Sequence, residues 1–401
     1  MTETGTAGAK QPLRVGMIGY AFMGAAHSQA WRTAHRFFDL PVVPTMSVLC
    51  GRTESATAAA AEKLGWSSWV TDWRDLVARD DIDVVDICTP GDSHREIALA
   101  ALEAGKHVLC EKPLANTVAE AEEMTDAAER ATKRGVWSAV GFNYRRVPAL
   151  ALAQRLIESG RLGQIRHIRA QYLQDWIVDP EFPLVWRLQK DKAGSGALGD
   201  IGAHVIDIAQ FLTGQRLVGV SGLLETFVKQ RPLPDAASGL SASSGEGHAE
   251  LGDVTVDDAA VFFGRTDGGA LAIFEATRFA TGRKNAIRVE VSGSDGALAF
   301  DFESMNELHV YDGTVPAADA GFRRILATEP DHPHMDVWWP PGHGLGYEHT
   351  FTHEIADFVI DVCAGRQPTP SFADGLGVQR VLDAVEQSSH NHSQWTPIPA
   401  S

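Results

Sequence analysis

Between Leu13 and about Phe142 the chain alternates short apolar runs with stretches in which apolar residues recur at helical spacing. The runs are Leu13–Ile18, Val42–Leu49, Val84–Cys88, His107–Cys110 and Val136–Phe142, and several are apolar almost throughout. A strand covered by helices on both faces needs that composition, because neither side of its pleat meets water. Amphipathic stretches such as Glu96–Ala104 and Ala119–Lys133 lie between the runs. This alternation predicts a right-handed, doubly wound parallel sheet over residues 13–143.

After Phe142 the rhythm changes. A helix over Pro148–Ser159 is followed by a long strand-like run, Ile165–Trp176, and a helix at about Gly199–Leu212. Then come β-type runs at Leu217–Val228, Val256–Arg265, Gly269–Phe279, Ala286–Gly293 and Leu298–Phe302. Turn signals such as Asp267-Gly268-Gly269 and Gly293-Ser294-Asp295-Gly296 separate them. Strands joined by turns predict a large, mostly antiparallel open sheet in an α+β domain over residues 144–401. The fold class is therefore α/β, a doubly wound domain followed by an α+β domain. Helices over Glu348–Cys363 and Ala373–Ser388 close the chain, with the option of packing back on the first domain. Residues 1–12 read as a disordered tail, and Arg231–Gly252, rich in Ser, Gly, Ala and Pro, as a mobile loop. Thr314–Gly346, with Trp338 and Trp339, reads either as a cover for an active site or as a surface excursion.

A chain of 401 residues is long enough for two domains. The formal charge of -17 repels nucleic acid and anionic lipid, so neither is an expected partner. No run approaches the roughly 18 apolar residues of a membrane span, and Met1–Gln11 has no apolar signal core. The expectation is a cytoplasmic protein acting on a small molecule. Cys50, Cys88, Cys110 and Cys363 form no C-x-x-C pair, so they read as small hydrophobes in a reducing compartment.

The first strand runs into Gly19-Tyr20-Ala21-Phe22-Met23-Gly24, a G-x-A-x-x-G turn at a helix start. A tight turn, close backbone approach and free helix N–H groups suit a dinucleotide pyrophosphate. Gly19, Ala21, Phe22, Met23 and Gly24 are accordingly cofactor candidates, with Ala21 adding a methyl where contact is closest. The second strand ends in Cys50-Gly51-Arg52-Thr53, without the acid that reads a ribose 2'-hydroxyl. Gly51 and Arg52 are placed at the adenosine end, where Arg52 could pair with a 2'-phosphate or stack on adenine. NAD and NADP both stay open.

Further motifs carry a family resemblance. They are Thr89-Pro90-Gly91-Asp92-Ser93-His94, Glu111-Lys112-Pro113, Gly141-Phe142-Asn143-Tyr144-Arg145 and Gly199-Asp200-Ile201-Gly202-Ala203-His204. Each is weak alone, but in this order, spread over nearly the whole chain, they resemble the Gfo/Idh/MocA oxidoreductases. Tyr172-Leu173-Gln174-Asp175-Trp176, Trp186-Arg187 and Gly194–Asp200 look closest to the levoglucosan and inositol dehydrogenase-like branch. The resemblance implies an N-terminal Rossmann domain, a cleft beside a C-terminal open sheet, and a homodimer or homotetramer built on that sheet. It implies hydride transfer between nicotinamide and a secondary hydroxyl or ketone of a sugar, anhydrosugar or cyclitol. It also implies that Lys112 orients substrate and stabilises oxyanion charge.

Alcohol oxidation needs a base for the hydroxyl proton and a cation for the developing alkoxide. Asp200 and His204, four apart on a predicted helix, share one face. His204 then reads as general base, with Asp200 raising its pKa and binding a substrate hydroxyl. Thr89, Pro90, His94, Glu111, Lys112 and Asn143 complete the expected nicotinamide end. Tyr144, Trp176 and Arg187 are substrate candidates, since sugars favour an aromatic face and fixed donors. His332-Pro-His334-Met-Asp336 and His349-Thr-Phe-Thr-His353 match no zinc pattern, so no metal is expected, and His349 is a further candidate for substrate contact. An NAD-dependent glycoside hydrolase and a non-catalytic nicotinamide sensor are the alternatives. Retention of Lys112, Asp200 and His204 together argues against the sensor.

Overall fold

The structure, a computed structural model, describes residues 10–233 and 250–399. Most of the 231–252 loop and residues 1–9 of the expected tail lie outside the described residues. Residues 10–12 of the expected tail are held in place. Pro12 already opens the first strand opposite Val43, and Lys10 Nζ donates to the Leu40 carbonyl at 2.7 Å. These bonds fix the backbone before the apolar pattern begins.

The first half runs β1 (Pro12–Ile18), α1 (Phe22–Phe37), β2 (Val43–Cys50), α2 (Glu54–Leu64), β3 (Ser68–Val70) and α3 (Trp73–Val77). It continues with β4 (Val84–Ile87), α4 (His94–Glu103), β5 (His107–Glu111), α5 (Val118–Thr132) and β6 (Ser138–Gly141). These strands form one parallel sheet of order β3-β2-β1-β4-β5-β6. Every residue of β4 is buried, as the predicted double coverage requires. β3 escaped the sequence pattern because it is a three-residue edge strand with no buried residue. Thr117 caps α5, and Glu120 returns a bond to the Thr117 backbone, which fixes where that helix starts. The strand order reverses between β1 and β4, and such a switch point opens a crevice at the carboxyl ends of the strands.

The second half opens with α6 (Pro148–Glu158), β7 (Ile165–Leu173), α7 (Lys190–Ala193), α8 (Ala203–Thr213), β8 (Leu217–Glu225) and β9 (Gln230–Pro232). It continues with β10 (Leu251–Asp253), β11 (Ala259–Thr266), β12 (Leu271–Thr277), β13 (Ala286–Gly293), β14 (Gly296–Asp301) and β15 (Glu307–Asp312). The last elements are β16 (Arg323–Leu326), α9 (Tyr347–Cys363), α10 (Phe372–His390) and β17 (Thr396–Pro397). The main sheet has the order β16-β15-β14-β13-β7-β12-β11-β8-β17 and is antiparallel except between β7 and β12. Along β11 and β12, buried Phe262, Ala272 and Phe274 alternate with exposed Val261, Phe263, Leu271 and Ile273. One face of the sheet is therefore core, and the other is exposed, apolar along β11 and β12 and charged at Arg169, Arg288 and Glu290.

The closing helices do pack back on the first half, α9 on α1 and α10 on α5. Trp338 lies against Phe37 with ring centroids 4.4 Å apart and donates Nε1 to His353 Nε2 at 2.7 Å. Thus the 314–346 segment clasps the end of α1 to α9. No helix among the described residues is long and apolar enough to cross a membrane.

Candidate active site

The crevice of the first sheet and one end of the second enclose a cleft of about 630 Å³. The phosphate turn forms one lip. Gly19 has φ +100, and a Cβ there would stand 2.7 Å from the Cys88 carbonyl oxygen. A Cβ on Gly24 would stand 2.2 Å from the Gly19 carbonyl oxygen, so both positions demand glycine. Ala21, Phe22 and Met23 line the cleft, and Ala21 is exposed. Free N–H groups at the start of α1 and this glycine cradle fit a dinucleotide pyrophosphate. Gly51 instead lies beneath the Tyr20 ring, and neither it nor the exposed Arg52 lines the cleft.

Thr89, Pro90, Glu111, Lys112 and Asn143 line the cleft, but His94 does not. Its Nδ1 lies 3.0 Å from the Pro113 carbonyl and its Nε2 2.8 Å from the Thr89 carbonyl. Buried carbonyls need partners, so the ring is drawn inward as a brace between two loops. Asn143 donates Nδ2–H to Thr350 Oγ1 of α9 at 2.8 Å.

At the other end, Lys112 Nζ donates to the Asp200 carbonyl at 2.6 Å and lies 3.5 Å from Asp200 Oδ1. The expected α-helix over 199–212 is corrected: Leu198–Gly202 is a π-helical turn, and α8 starts at Ala203. Asp200 and His204 therefore do not stand in simple i,i+4 register, although both line the cleft. The buried Asp257 carboxylate holds the wider turn by accepting from Gly196 N at 2.8 Å and Leu198 N at 2.7 Å.

The electrostatics correct another expectation. Burial opposes ionisation of Asp200, but Lys112, Arg187 and Arg278 outweigh it and hold the carboxyl at about 2. Burial and then Lys112 push His204 well below its ordinary value, and Asp200 opposes this without reversing it. The His204 ring sits among Tyr144, Tyr172 and Phe142, at centroid distances of 4.8, 5.9 and 6.0 Å. Its Nδ1 has no hydrogen-bond partner among the described residues. His204 is thus neutral at neutral pH and able to accept a proton.

A polar rail crosses the cleft wall. The Tyr144 and Tyr172 hydroxyls are 2.8 Å apart, and Tyr172 donates to Asn285 Oδ1 at 2.6 Å. Gln174 Nε2 donates to the same oxygen at 2.9 Å, and Trp176 Nε1 donates to Gln174 Oε1 at 3.0 Å. Arg187 lies over the Trp186 ring at 4.4 Å. Tyr144, Trp176 and Arg187 reach the cleft as expected, whereas Tyr172, Gln174, Trp186, Asn285 and Tyr347 line it without having been singled out. The expected strand Ile165–Trp176 ends at Leu173, so of Tyr172, Gln174 and Trp176 only Tyr172 stands on β7, although their alternate spacing is readable in the sequence. Asn285 carries no such signal. Arg278 was also missed: it is fully buried, donates Nη2–H to the Asp257 carbonyl at 3.0 Å, and stands 3.5 Å from Asp200 Oδ2.

No residue of 314–346 lines the cleft, so the reading of that segment as a cover is set aside. His349 also stays outside, packed against Trp338 at 4.7 Å, and Tyr347 takes its place. His334 stacks on His353 at 4.7 Å, and the His353 nitrogens are engaged by Trp338 and the Arg146 carbonyl.

Residues 13–140 match the model of an oxidoreductase family with an NAD-binding Rossmann fold, and residues 150–299 match the GFO/IDH/MocA C-terminal domain. The chain belongs to the Gfo/Idh/MocA oxidoreductase family. It is 42% identical over 391 residues to levoglucosan dehydrogenase of Pseudarthrobacter phenanthrenivorans, covering 97% of this chain and 99% of that one. A crystal structure of an oxidoreductase domain protein from Kribbella flavida superposes with a TM-score of 0.92 at 65% identity, covering 97% and 100% of the two chains. Levoglucosan dehydrogenase in complex with NADH and levoglucosan superposes with a TM-score of 0.90 at 42% identity, again covering 97% and 100%. As a Gfo/Idh/MocA protein, the chain is a nicotinamide-dependent oxidoreductase acting on CH–OH groups.

Proposed function

We propose that this enzyme oxidises a secondary ring hydroxyl of an uncharged sugar, anhydrosugar or cyclitol to the ketone, and that His204 is the proton acceptor. The observation that carries this reading is the convergence of neutral His204, cationic Lys112 and ionised Asp200 in the cleft that the phosphate turn opens. His204 takes the hydroxyl proton. The Lys112 ammonium holds the developing oxyanion, where a fixed cation in a water-poor site counts most. Asp200 accepts a hydrogen bond from a neighbouring hydroxyl, and its low pKa keeps it an acceptor. Trp176, Tyr172, Gln174 and Asn285 present the aromatic face and fixed polar groups that orient a pyranose-like ring. When bound, the nicotinamide supplies the hydride acceptor. A relative that carries NADH with levoglucosan supports an anhydropyranose substrate and NAD.

The open apolar face of β11 and β12 supports assembly into a homodimer or homotetramer through that sheet.

The test mixes purified enzyme with NAD or NADP and a panel including levoglucosan, myo-inositol and glucose, and follows reduced-nicotinamide absorbance. Substrate-dependent reduction that collapses in Lys112→Ala and His204→Asn supports the assignment. Glycoside cleavage without net reduction favours the hydrolase. Nicotinamide binding without turnover on any panel member favours the sensor.

A further inference from the structure

Behind the phosphate turn lies a second cluster of buried ionisable groups that the chemistry above does not use. His27, on α1, is fully buried. Its Nδ1 lies 3.0 and 3.1 Å from the two oxygens of Asp86 on β4, and its Nε2 lies 2.9 Å from Glu111 Oε1 on β5. Asp86 also accepts from Trp31 Nε1 at 2.7 Å. The remaining oxygen of Glu111, Oε2, accepts the backbone N–H of Lys112 at 3.1 Å.

We propose that His27 is a positioning residue for Lys112, acting through Glu111, so that α1 aims the active-site lysine as well as opening the cofactor cradle. The proposal rests on the reading that Lys112 serves the reaction. An imidazole with a carboxylate at each nitrogen donates from both, which makes it an imidazolium. Burial opposes that charge, but Asp86 and Cys88 together outweigh it and raise the pKa well above the ordinary value. Other titratable groups facing the cluster are Cys88, Cys110, Tyr144, Tyr347 and Glu354; the Phe351 ring covers the imidazole at 5.4 Å. Burial holds Glu354 up at about 8, so it is uncharged at neutral pH and adds no repulsion to the two carboxylates. Only a carboxylate at position 111 accepts from the imidazolium and from Lys112 N–H together. A glutamine has one acceptor oxygen and must present its NH2 to one of these two donors. The bond to Lys112 N–H fixes the backbone from which the side chain reaches the Asp200 carbonyl.

The test is His27→Asn, with Glu111→Gln as the second variant. Thermal melting establishes that each is folded, and fluorescence titration measures NADH affinity. Because small misplacements in an active site cost on the order of 100-fold in rate, kcat is expected to fall about that much. NADH affinity and sugar KM are expected to change far less. Independently of turnover, acylation of Lys112 by an amine reagent, read by peptide mass spectrometry, is expected to speed up as the side chain is released. If His27→Asn does not fold, Glu111→Gln decides by the same readouts. Folded variants with wild-type kcat and wild-type Lys112 acylation overturn the proposal, as does a rate loss matched by an equal loss of NADH affinity. If the wild type oxidises no sugar, the proposed function fails, and the acylation rate still tests the positioning.

Discussion

His27 and His204 are both buried, one bonded to Glu111 and the other close to Lys112. Burial alone depresses an imidazole, because the cation loses its solvation. Around His27 the Asp86 and Glu111 side chains lie at hydrogen-bond distance, and Asp86 together with Cys88 raises the imidazole against burial. Around His204 there are three aromatic rings and a nearby ammonium. Asp200 is close enough to act but is already shared between Lys112 and Arg278. The difference teaches that neither residue type nor burial sets a histidine's role; the decisive quantity is which counter-charges remain unclaimed. One ring becomes a fixed cation that braces the fold, and the other a neutral base.

The sharpest way to break this comparison is to remove the base. His204→Asn is expected to lower kcat/KM by about 1,000-fold, within the range of general base catalysis, with NADH affinity retained. A variant with near wild-type turnover would assign the proton to another group. Next in size, Asp200→Asn is expected to lower kcat/KM by about 100-fold, since it removes a substrate acceptor from a buried polar site. It also removes the group that pulls the His204 pKa upward, so the acid limb of the pH–rate profile should move to lower pH. A limb that moves upward would reverse the assigned sign.

Acid stability tests the same rule elsewhere. Burial holds His334 and His353 at about 3, against an ordinary value of 6.5. Their folded-state pKa is depressed, so their contribution is complete above 6.5 and is lost as pH falls from there toward 3. At about 1.4 kcal/mol per pH unit, each is expected to cost about 2 kcal/mol by pH 5. His27 has the opposite sign: its contribution is complete below 6.5 and is lost as pH rises through its elevated folded value. Urea midpoints at pH 5 and pH 7 should differ for the wild type, and the difference should shrink by about half in His353→Gln, where His334 remains. Equal wild-type midpoints would sink the claim that the clasp histidines are kept neutral. The smallest expected effect is from Arg278→Lys, which keeps charge but loses the planar fork at Asp200 and Asp257. A roughly tenfold rise in sugar KM is expected, readable by steady-state kinetics; an unchanged KM would detach Arg278 from the site.

The chain's pattern by itself determined the Rossmann half, because a strand buried on both faces writes an apolar run into consecutive residues. It also determined the phosphate turn and placed Lys112, Asp200 and His204, whose motifs are local. β3 was too short and exposed to leave a mark, and the π-helical turn at Leu198–Gly202 is set by Asp257, far away in sequence. The bonds that decide charge are longer in range still. His27 reaches Glu111 across 84 positions, and Lys112 reaches Asp200 across 88. Whether a buried imidazole is a cation or a base depends on Coulomb terms that fall off within a few ångströms. Those distances exist only once the chain has folded, so the fold was legible in the sequence, and the protonation states of the histidines were decided by the tertiary structure.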